Sequence, residues 1–491
     1  MIVRAHITYS RLAAIVRELS ETVARTARSR GLADGGRFAV AALTGEARVA
    51  AQHQFDPSHS YLIRESVAGL LDYFAFDLAD GDVVVVGDPY RGGSTPQTLT
   101  FAAPVLHEGE LVLFPAVRAE MADLAGSYPG TLHPTATETW QESIRVTPVK
   151  LYRHGVLQRD ILRFLLRNSR AEALVRSDIE AIVSSLRAAG AGLSRLLAER
   201  GRATVEEAIA AAIAHGGRLT RSALARWQGM DSTVSASIDR SPGPPIDVRL
   251  RLRVEEGRLL ADFDGTAGQV EGPYNMTLAH ARGYVLVAAA ASLLDATTLN
   301  DGVLESVAAT APAGSLLAPT LPSATGLSDL VTGHAVGALV REALFGADDP
   351  GVRRLDGPAP SLVLFAPIGA SEENPPYALD PGFTVSAQGW GPPVFSGRRR
   401  LPSAEILETR DNIELVSREF MDDGGIGAVL RNHRGGLQAT AFVPRSADGA
   451  DGAITLEHEG RTTDLHRAAG VAIPDGATLR FRYPSLAGRG S

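Results

Sequence analysis

Four β-branched residues in a row, Val83 to Val86, run directly into Gly87-Asp88-Pro89-Tyr90 and Arg91-Gly92-Gly93. So short an apolar run, ended by Gly, Asp and Pro, predicts a buried strand that empties into a loop. A polar loop leaving such a strand is a common place for a binding site, and a tight surface turn has the same signature. The stretch from Gly81 to Tyr152 that begins this way organises the rest of the chain.

Upstream, Thr8 or Ser10 as a cap and Leu12, Ile15, Val16 and Leu19 at helical spacing predict a helix over 8–30. Phe38 to Leu43 and Ala47 to Ala51 read as a hairpin around Thr44-Gly45-Glu46, and Tyr61 to Phe76 as a second helix. Leu99 to Leu106 and Leu111 to Val117 form a further hairpin pattern. Between Met121 and Thr147 no period holds, and the aromatic and apolar residues there favour an ordered functional loop over disorder.

Helical periodicity dominates 158–229, where Val175, Ile179, Ile182, Val183 and Leu186 make one apolar face of core character. Ser241-Pro242-Gly243-Pro244-Pro245 marks a stiff turn or linker. Beyond it lie an alternating hairpin (Val248 to Val254, Leu259 to Phe263), a helix from Leu278 to Leu294, a strand from Val303 to Thr310 and a helix over 327–345. From about 350 onward short β segments prevail. Strands and helices in blocks predict an α+β, multi-domain chain of mixed sheets with helical layers. The expected units are 1–157, an α+β domain carrying the Asp88 loop; 158–232, helical; 233–350, α+β; and 351–491, β-rich.

At 491 residues, 45% hydrophobic and 21% charged, the chain is of ordinary globular composition, long enough for several cores. A net charge of −8 argues against bulk nucleic-acid binding. With no cysteine, disulfides, thiolate metal sites and cysteine nucleophiles are excluded together. The N-terminus lacks a signal-peptide pattern, and the longest uncharged apolar run, Gly283 to Leu294, is too short to span a membrane; cytoplasm is the expected compartment. Lys150 is the only lysine, and it lies inside the organising stretch.

Several common catalytic signatures are absent: the Walker phosphate loop, HExxH and GxSxG. Carboxylates gather instead in the organising stretch: Asp88, Glu120, Asp123, Glu138 and Glu142, with His133 among them. Such a group suits a hard divalent cation or general acid–base chemistry. Equally, with Arg118, Arg145 and Lys150, it suits a satisfied polar network under a loop. One histidine between Glu120 and Glu142 is too few for a His-rich transition-metal site.

Taken together, GDVVVVGDPYRGGSTPQTL, RAEMADLAG, YPG, ETWQES and VTPVKLY resemble the hydantoinase B/oxoprolinase family, whose corresponding segments run GDVFILNDPYRGGTHLPDV, RAHHADIGG, PG, EIFQEG and IPPVKLY. ADFDGTAGQVEGPYN, PAGSLLAPTLPSATG, PSAEILET and EFMDDGGIGAVLRNHRGGLQ are similar to later family segments, in order. The resemblance implies a B-type subunit of an ATP-dependent hydantoinase, 5-oxoprolinase or ketone carboxylase. It implies an A-type ATP-binding partner that uses ATP and Mg, and a small-molecule carbonyl substrate such as a cyclic amide, imide or ketone. No nucleic acid or membrane enters this picture.

The departures fall on the metal ligands that the resemblance implies. The family's His and Asp of THLPD fall on Thr95 and Thr98; its paired His on Glu120 and Met121; its early Asp on Arg37. Asp123 is kept. Thr and Met are poor ligands for such an ion, and Arg repels it. The first expectation is therefore a degenerate structural or regulatory subunit that binds no cofactor itself, with a second, intact B-type chain as a further partner. The second is an active subunit with an altered site drawn from Asp88, Arg91, Glu120, Asp123 and Lys150, with or without residual divalent metal. A free-standing small-molecule binder is the third. Losses that strike the ligands and spare the loop-shaping Gly, Pro and Asp favour the first.

Overall fold

The computed structural model describes residues 2–33, 36–54, 59–74, 77–93, 95–130, 132–240, 243–293, 299–346, 361–365, 378–383, 385–386, 389–390, 405, 408–409, 412–422, 425–433, 435–443 and 452–483. Helices alternate with several sheets, as the α+β expectation requires.

The centre is an eight-stranded antiparallel sheet. Its spine, in spatial order, is Val49–Gln54, Phe38–Thr44, Glu110–Glu120, Thr98–Ala102, Val83–Gly87, Val146–Arg153 and Val156–Leu157, with Val105–His107 paired on Glu110–Glu120. The valine run explains why the sheet is covered on both sides. Val83 and Val85 point into a core shared with the long helices, and Val84 and Val86 into the opposite core. Each such buried side chain contributes about 2 kcal/mol by area.

On one face lie the helices Ile2–Thr26, Glu172–Arg200 and Arg202–Leu224. The predicted stripe Val175, Ile179, Ile182, Val183 and Leu186 packs against Leu12, Val16, Leu19 and the sheet. Asp178 interrupts that stripe and is held there by one oxygen, which accepts the Arg28 and Ser29 amides at 2.7 and 3.0 Å, just beyond the first helix's end. On the other face sit helix His59–Phe74 and a second layer. That layer is a four-stranded sheet, Val307–Thr310, Arg258–Asp262, Ile246–Glu255 and Asp231–Ile238, with helices Leu278–Leu293 and Gly333–Phe345. One continuous core joins Val84, Val86 and Tyr61 to Leu250, Val285 and Leu339, so the two layers meet over the central sheet. Two further sheets near the C-terminus share a third core around Leu430, Ile454 and Phe481.

Several element boundaries differ from the sequence reading, three of them with a clear local cause. The first helix begins at Ile2, and Thr8, expected as its cap, lies inside it with its hydroxyl donating to the Arg4 carbonyl at 3.0 Å. Val303 belongs to a single helical turn, Asp301–Leu304, capped by the Asn300 side chain; the strand starts only at Val307. The helix over 327–345 begins as a π-turn, Ser328–Thr332, before continuing as α-helix. Among the described residues, no helix is long and apolar enough to cross a membrane.

Candidate functional site

The ends of the central strands bring together the positions that the family resemblance marks. Glu120 closes strand Glu110–Glu120 and lies opposite Thr98, the first residue of the neighbouring strand. On its other side, Phe38 pairs with Ala119, and the Glu120 amide donates to the Arg37 carbonyl at 3.0 Å. Arg37, Glu120 and Thr98 thus sit on three adjacent strands at one end of the sheet. Alternation puts all three side chains on the face that carries Ala41, Ala116 and Ala102, toward the second layer. Thr95 joins them, its hydroxyl 3.1 Å from that of Thr98. Ser94 lies outside the described residues.

Within this group, the Arg37 guanidinium donates to the Glu120 carboxylate in a close ion pair, with side chains only 10% and 12% exposed. Met121, one residue on, points to the opposite face and is fully buried in the helix-side core. The donors present are therefore one carboxylate, already paired to a cation, and two hydroxyls. A divalent ion seated 4 Å from the guanidinium would meet repulsion of roughly 8 kcal/mol at an effective dielectric constant near 20. The residues do not fit a divalent metal. Among the described residues, no three His, Cys, Asp or Glu side chains converge as a ligand set.

The other sequence candidates are placed as follows. Asp88 is buried and held by Arg145, at 2.7 and 3.3 Å to its two oxygens, and by the Tyr90 amide at 3.0 Å. Arg91 is half exposed and only 3.9 Å from the same carboxylate. Asp123 is buried and accepts the Arg170 amide at 2.6 Å, the Arg170 guanidinium at 3.2 Å and the Gly130 amide at 3.2 Å. Burial pushes its carboxyl above the usual range despite those donors. Lys150 stands at the far end of the sheet, bridging Asp82 at 2.9 Å and Asp77 at 3.0 Å. Asp88, Arg91, Glu120, Thr95 and Thr98 thus share one end of the sheet, and Lys150 does not.

The described residues between Met121 and Val146 are held in place by polar side chains. Glu142 is buried and accepts the Thr325 and Gly326 amides at 2.9 and 2.6 Å, tying the loop to the second layer. Burial pushes its carboxyl up to about 8. A side chain on Gly326 would meet a Glu142 oxygen at 2.5 Å. His133, also buried, is driven down to about 4 and lies 3.2 Å from the Gly130 carbonyl. The Tyr90 hydroxyl donates to the Ser323 carbonyl at 2.5 Å, so the Asp88 loop joins the same lock. Near the C-terminus, Arg431 and His433 pair with Glu414; Asp423 and Arg434 lie outside the described residues.

The sequence reading missed what the second layer brings. Thr277 donates to the Gly93 carbonyl at 3.1 Å, at the start of helix Leu278–Leu293. One turn later His280 is fully buried, with its ring 3.2 Å from the Ser328 hydroxyl and 3.5 Å from Asp329. Tyr284 donates to Asp329 at 2.6 Å. Ser66, on helix His59–Phe74, donates to the Gly92 carbonyl at 2.7 Å and accepts from Arg118 at 3.0 Å. In the sequence these are isolated polar residues on apolar helices, and only the π-turn brings Asp329 back to His280.

Solved structures share this arrangement of layers. The ATP-dependent caprolactamase from Pseudomonas jessenii superposes with a TM-score of 0.84 at 18% identity, over 99% of this chain and 90% of that one. An acetone carboxylase, solved nucleotide-free, superposes with a TM-score of 0.83 at 13% identity, over 99% and 75%. These likenesses establish the fold. In sequence, the B-type subunit of a putative D-/L-hydantoinase from Pseudomonas sp. (strain NS671) is 25% identical over 417 residues, 81% of this chain and 68% of that protein. The chain also matches 5-oxoprolinase 1 of Arabidopsis thaliana at 25% over 366 residues, but covers only 29% of that longer protein. It covers 59% of the uncharacterized protein MJ0963 of Methanocaldococcus jannaschii, at 22% identity. The Hydantoinase B/oxoprolinase family model matches residues 2–462, and with the shared layers and the retained Asp88-to-Gly93 frame this chain belongs to that family.

Proposed function

We propose that this chain is a B-type subunit that keeps the family's scaffold and interfaces while an internal ion pair occupies the place of its metal. The observation that carries this reading is the Arg37–Glu120 pair at the strand ends, flanked by Thr95 and Thr98. A guanidinium in that position supplies fixed positive charge and donors, but no open coordination position for substrate or water. The remaining acids speak against a relocated acid–base site. Asp88 and Asp123 are buried and tied to Arg145 and Arg170, contacts that hold the loops in place rather than present a carboxyl to a substrate.

Its partner in this reading is an A-type subunit that phosphorylates a carbonyl substrate with ATP, and the B-type chain contributes surface and shape to the assembly. Neither the cyclic amide nor the ketone class of substrate is preferred by the geometry. Co-expression with an A-type subunit followed by gel filtration tests the assignment. A stable complex is expected, whose ATP-dependent turnover is unchanged by Glu120→Gln at temperatures where the variant stays folded. Migration of the two chains as separate species would remove the scaffold role and leave a free-standing binder.

A further inference from the structure

Six arginines converge on one cleft at the other end of the central sheet. Arg48 follows the turn after strand Phe38–Thr44, whose seven residues at about 3.3 Å each put it roughly 23 Å from the Arg37 end. Arg64 comes from helix His59–Phe74, Arg282 from helix Leu278–Leu293 and Arg258 from the hairpin of the second sheet. Arg218 and Arg221 lie three residues apart on helix Arg202–Leu224, on one face. That helix also gives the cleft an apolar wall of Ala210, Ile213 and Ala214. The cavity has a volume of about 940 Å³, at the upper end of the range that holds small-molecule ligands.

The charges in the cleft do not balance. Asp301 and Glu305 satisfy Arg48 at 3.1 and 3.3 Å, and Asp301 satisfies Arg64 at 2.9 Å. Arg282 is occupied by the Val307 carbonyl at 2.8 Å and by the Tyr61 hydroxyl. Glu256, on the hairpin turn, is the other acid in the lining. Arg218, Arg221 and Arg258 are exposed and make no ion pair among the described residues. Three guanidiniums therefore face the cavity without an ion pair among the described residues. Arg282 registers the crowding: burial, and then the positive charges of Arg64 and Arg258, hold it below its ordinary value.

We propose that this cleft binds an organic polyphosphate of nucleotide size, its phosphates on Arg218, Arg221 and Arg258 and its organic body against Ala210, Ile213 and Ala214. Guanidinium forks match phosphate oxygens two at a time, and phosphate is the compact anion that uses three of them together. Excess positive charge rules out a metal, and confinement in a concave cleft of an acidic chain rules out a nucleic-acid track. The inference is independent of the metal-site reading, since no residue is shared.

Titration calorimetry of the full chain with ADP, inorganic pyrophosphate and adenosine is the test. ADP should bind, pyrophosphate should displace it with weaker affinity, and adenosine should not bind. The double variant R218A/R221A should weaken ADP by at least about tenfold, a change read directly in Kd. Both side chains are exposed, so the unliganded melting temperature should stay within about 2 °C of the parent. Binding should weaken between low salt and about 0.15 M salt, as phosphate contacts require. Failure of both ADP and pyrophosphate to bind, or undiminished ADP affinity in the double variant, would overturn the proposal. Pyrophosphate binding more tightly than ADP would overturn the organic-body half and assign the cleft to inorganic polyphosphate.

Discussion

Arg37 and Glu120 face each other across adjacent strands as a nearly buried ion pair, at the positions where the family resemblance places an aspartate and a histidine of a metal site. Each replacement alone would ruin the site or leave a charge stranded; together they neutralise one another. Removing one partner should therefore cost more than removing both. Arg37→Met or Glu120→Gln should each destabilise by about 3 kcal/mol, because a lone charge stays in a low-dielectric pocket. The double variant Arg37→Met/Glu120→Met should recover a good part of that loss. A double-mutant cycle on melting temperatures gives the coupling; additive losses would show that the pair does not act as a unit.

Lys150 ties two carboxylates together at one end of the sheet. Its ammonium is buried between Asp82 and Asp77, 5.5 Å from the Phe74 ring centre, at the sheet end away from Glu120. Lys150→Met should cost about 3 kcal/mol through the orphaned Asp82 carboxylate, and Lys150→Met/Asp82→Leu should regain stability. Measured in a complex with an A-type partner, KM should be unaffected at temperatures where the variant stays folded. A raised KM at full folding would return Lys150 to the substrate.

Glu142 makes stability depend on pH in a defined direction. Its carboxyl moves from an ordinary value of 4.5 to about 8 in the fold, so between those values the native chain holds a proton that the unfolded chain releases. Stability from this group is complete below about 4.5, falls as pH rises through that window, and levels off above about 8. Glu142→Gln should flatten this slope and lose least, relative to the parent, near pH 8. Melting curves from pH 5 to 9 on both proteins check it; parallel profiles would contradict it.

The Asp88 loop depends on its glycines for clearance. Gly92 has a φ of +72°, and a Cβ there would come within 2.5 Å of the Glu65 backbone; one on Gly93 would run into the Asp88 carbonyl. Gly92→Ala combines backbone strain with that clash and should cost about 2 kcal/mol or more, while unsettling the Ser66 contact to the Gly92 carbonyl. Amide hydrogen exchange of residues 88–93 should rise by more than that of strand Val83–Gly87. Equal protection in parent and variant would mean that the loop has slack the geometry does not show.

Much of the central sheet was legible because its signals are local. Val83 to Val86 announced a strand covered on both faces, and the stripe from Val175 to Leu186 announced a core helix; both lie there. The start of the first helix was not legible, because Thr8 reads as a cap and instead donates back to Arg4 inside the helix. For the site, the resemblance pointed to Arg37, Thr95, Thr98 and Glu120 one at a time, but their pairing is a matter of strand register. Only the alignment of Phe38 with Ala119 and of Thr98 with Glu120 brings Arg37 beside Glu120. The contributions of Thr277, His280 and Asp329 come from a separate layer, about 180 residues or more along the chain from Gly93, and no spacing rule reaches that far.

Metal content tests the Arg37–Glu120 pair most directly. Purified protein, alone and co-purified with an A-type partner, would be incubated with excess Mn, Zn or Fe, desalted and analysed for bound metal per chain. The Arg37–Glu120 pair predicts occupancy well below about one ion per B-type chain for all three. Full occupancy by any one of them, abolished by Glu120→Gln or Asp123→Asn, would contradict it.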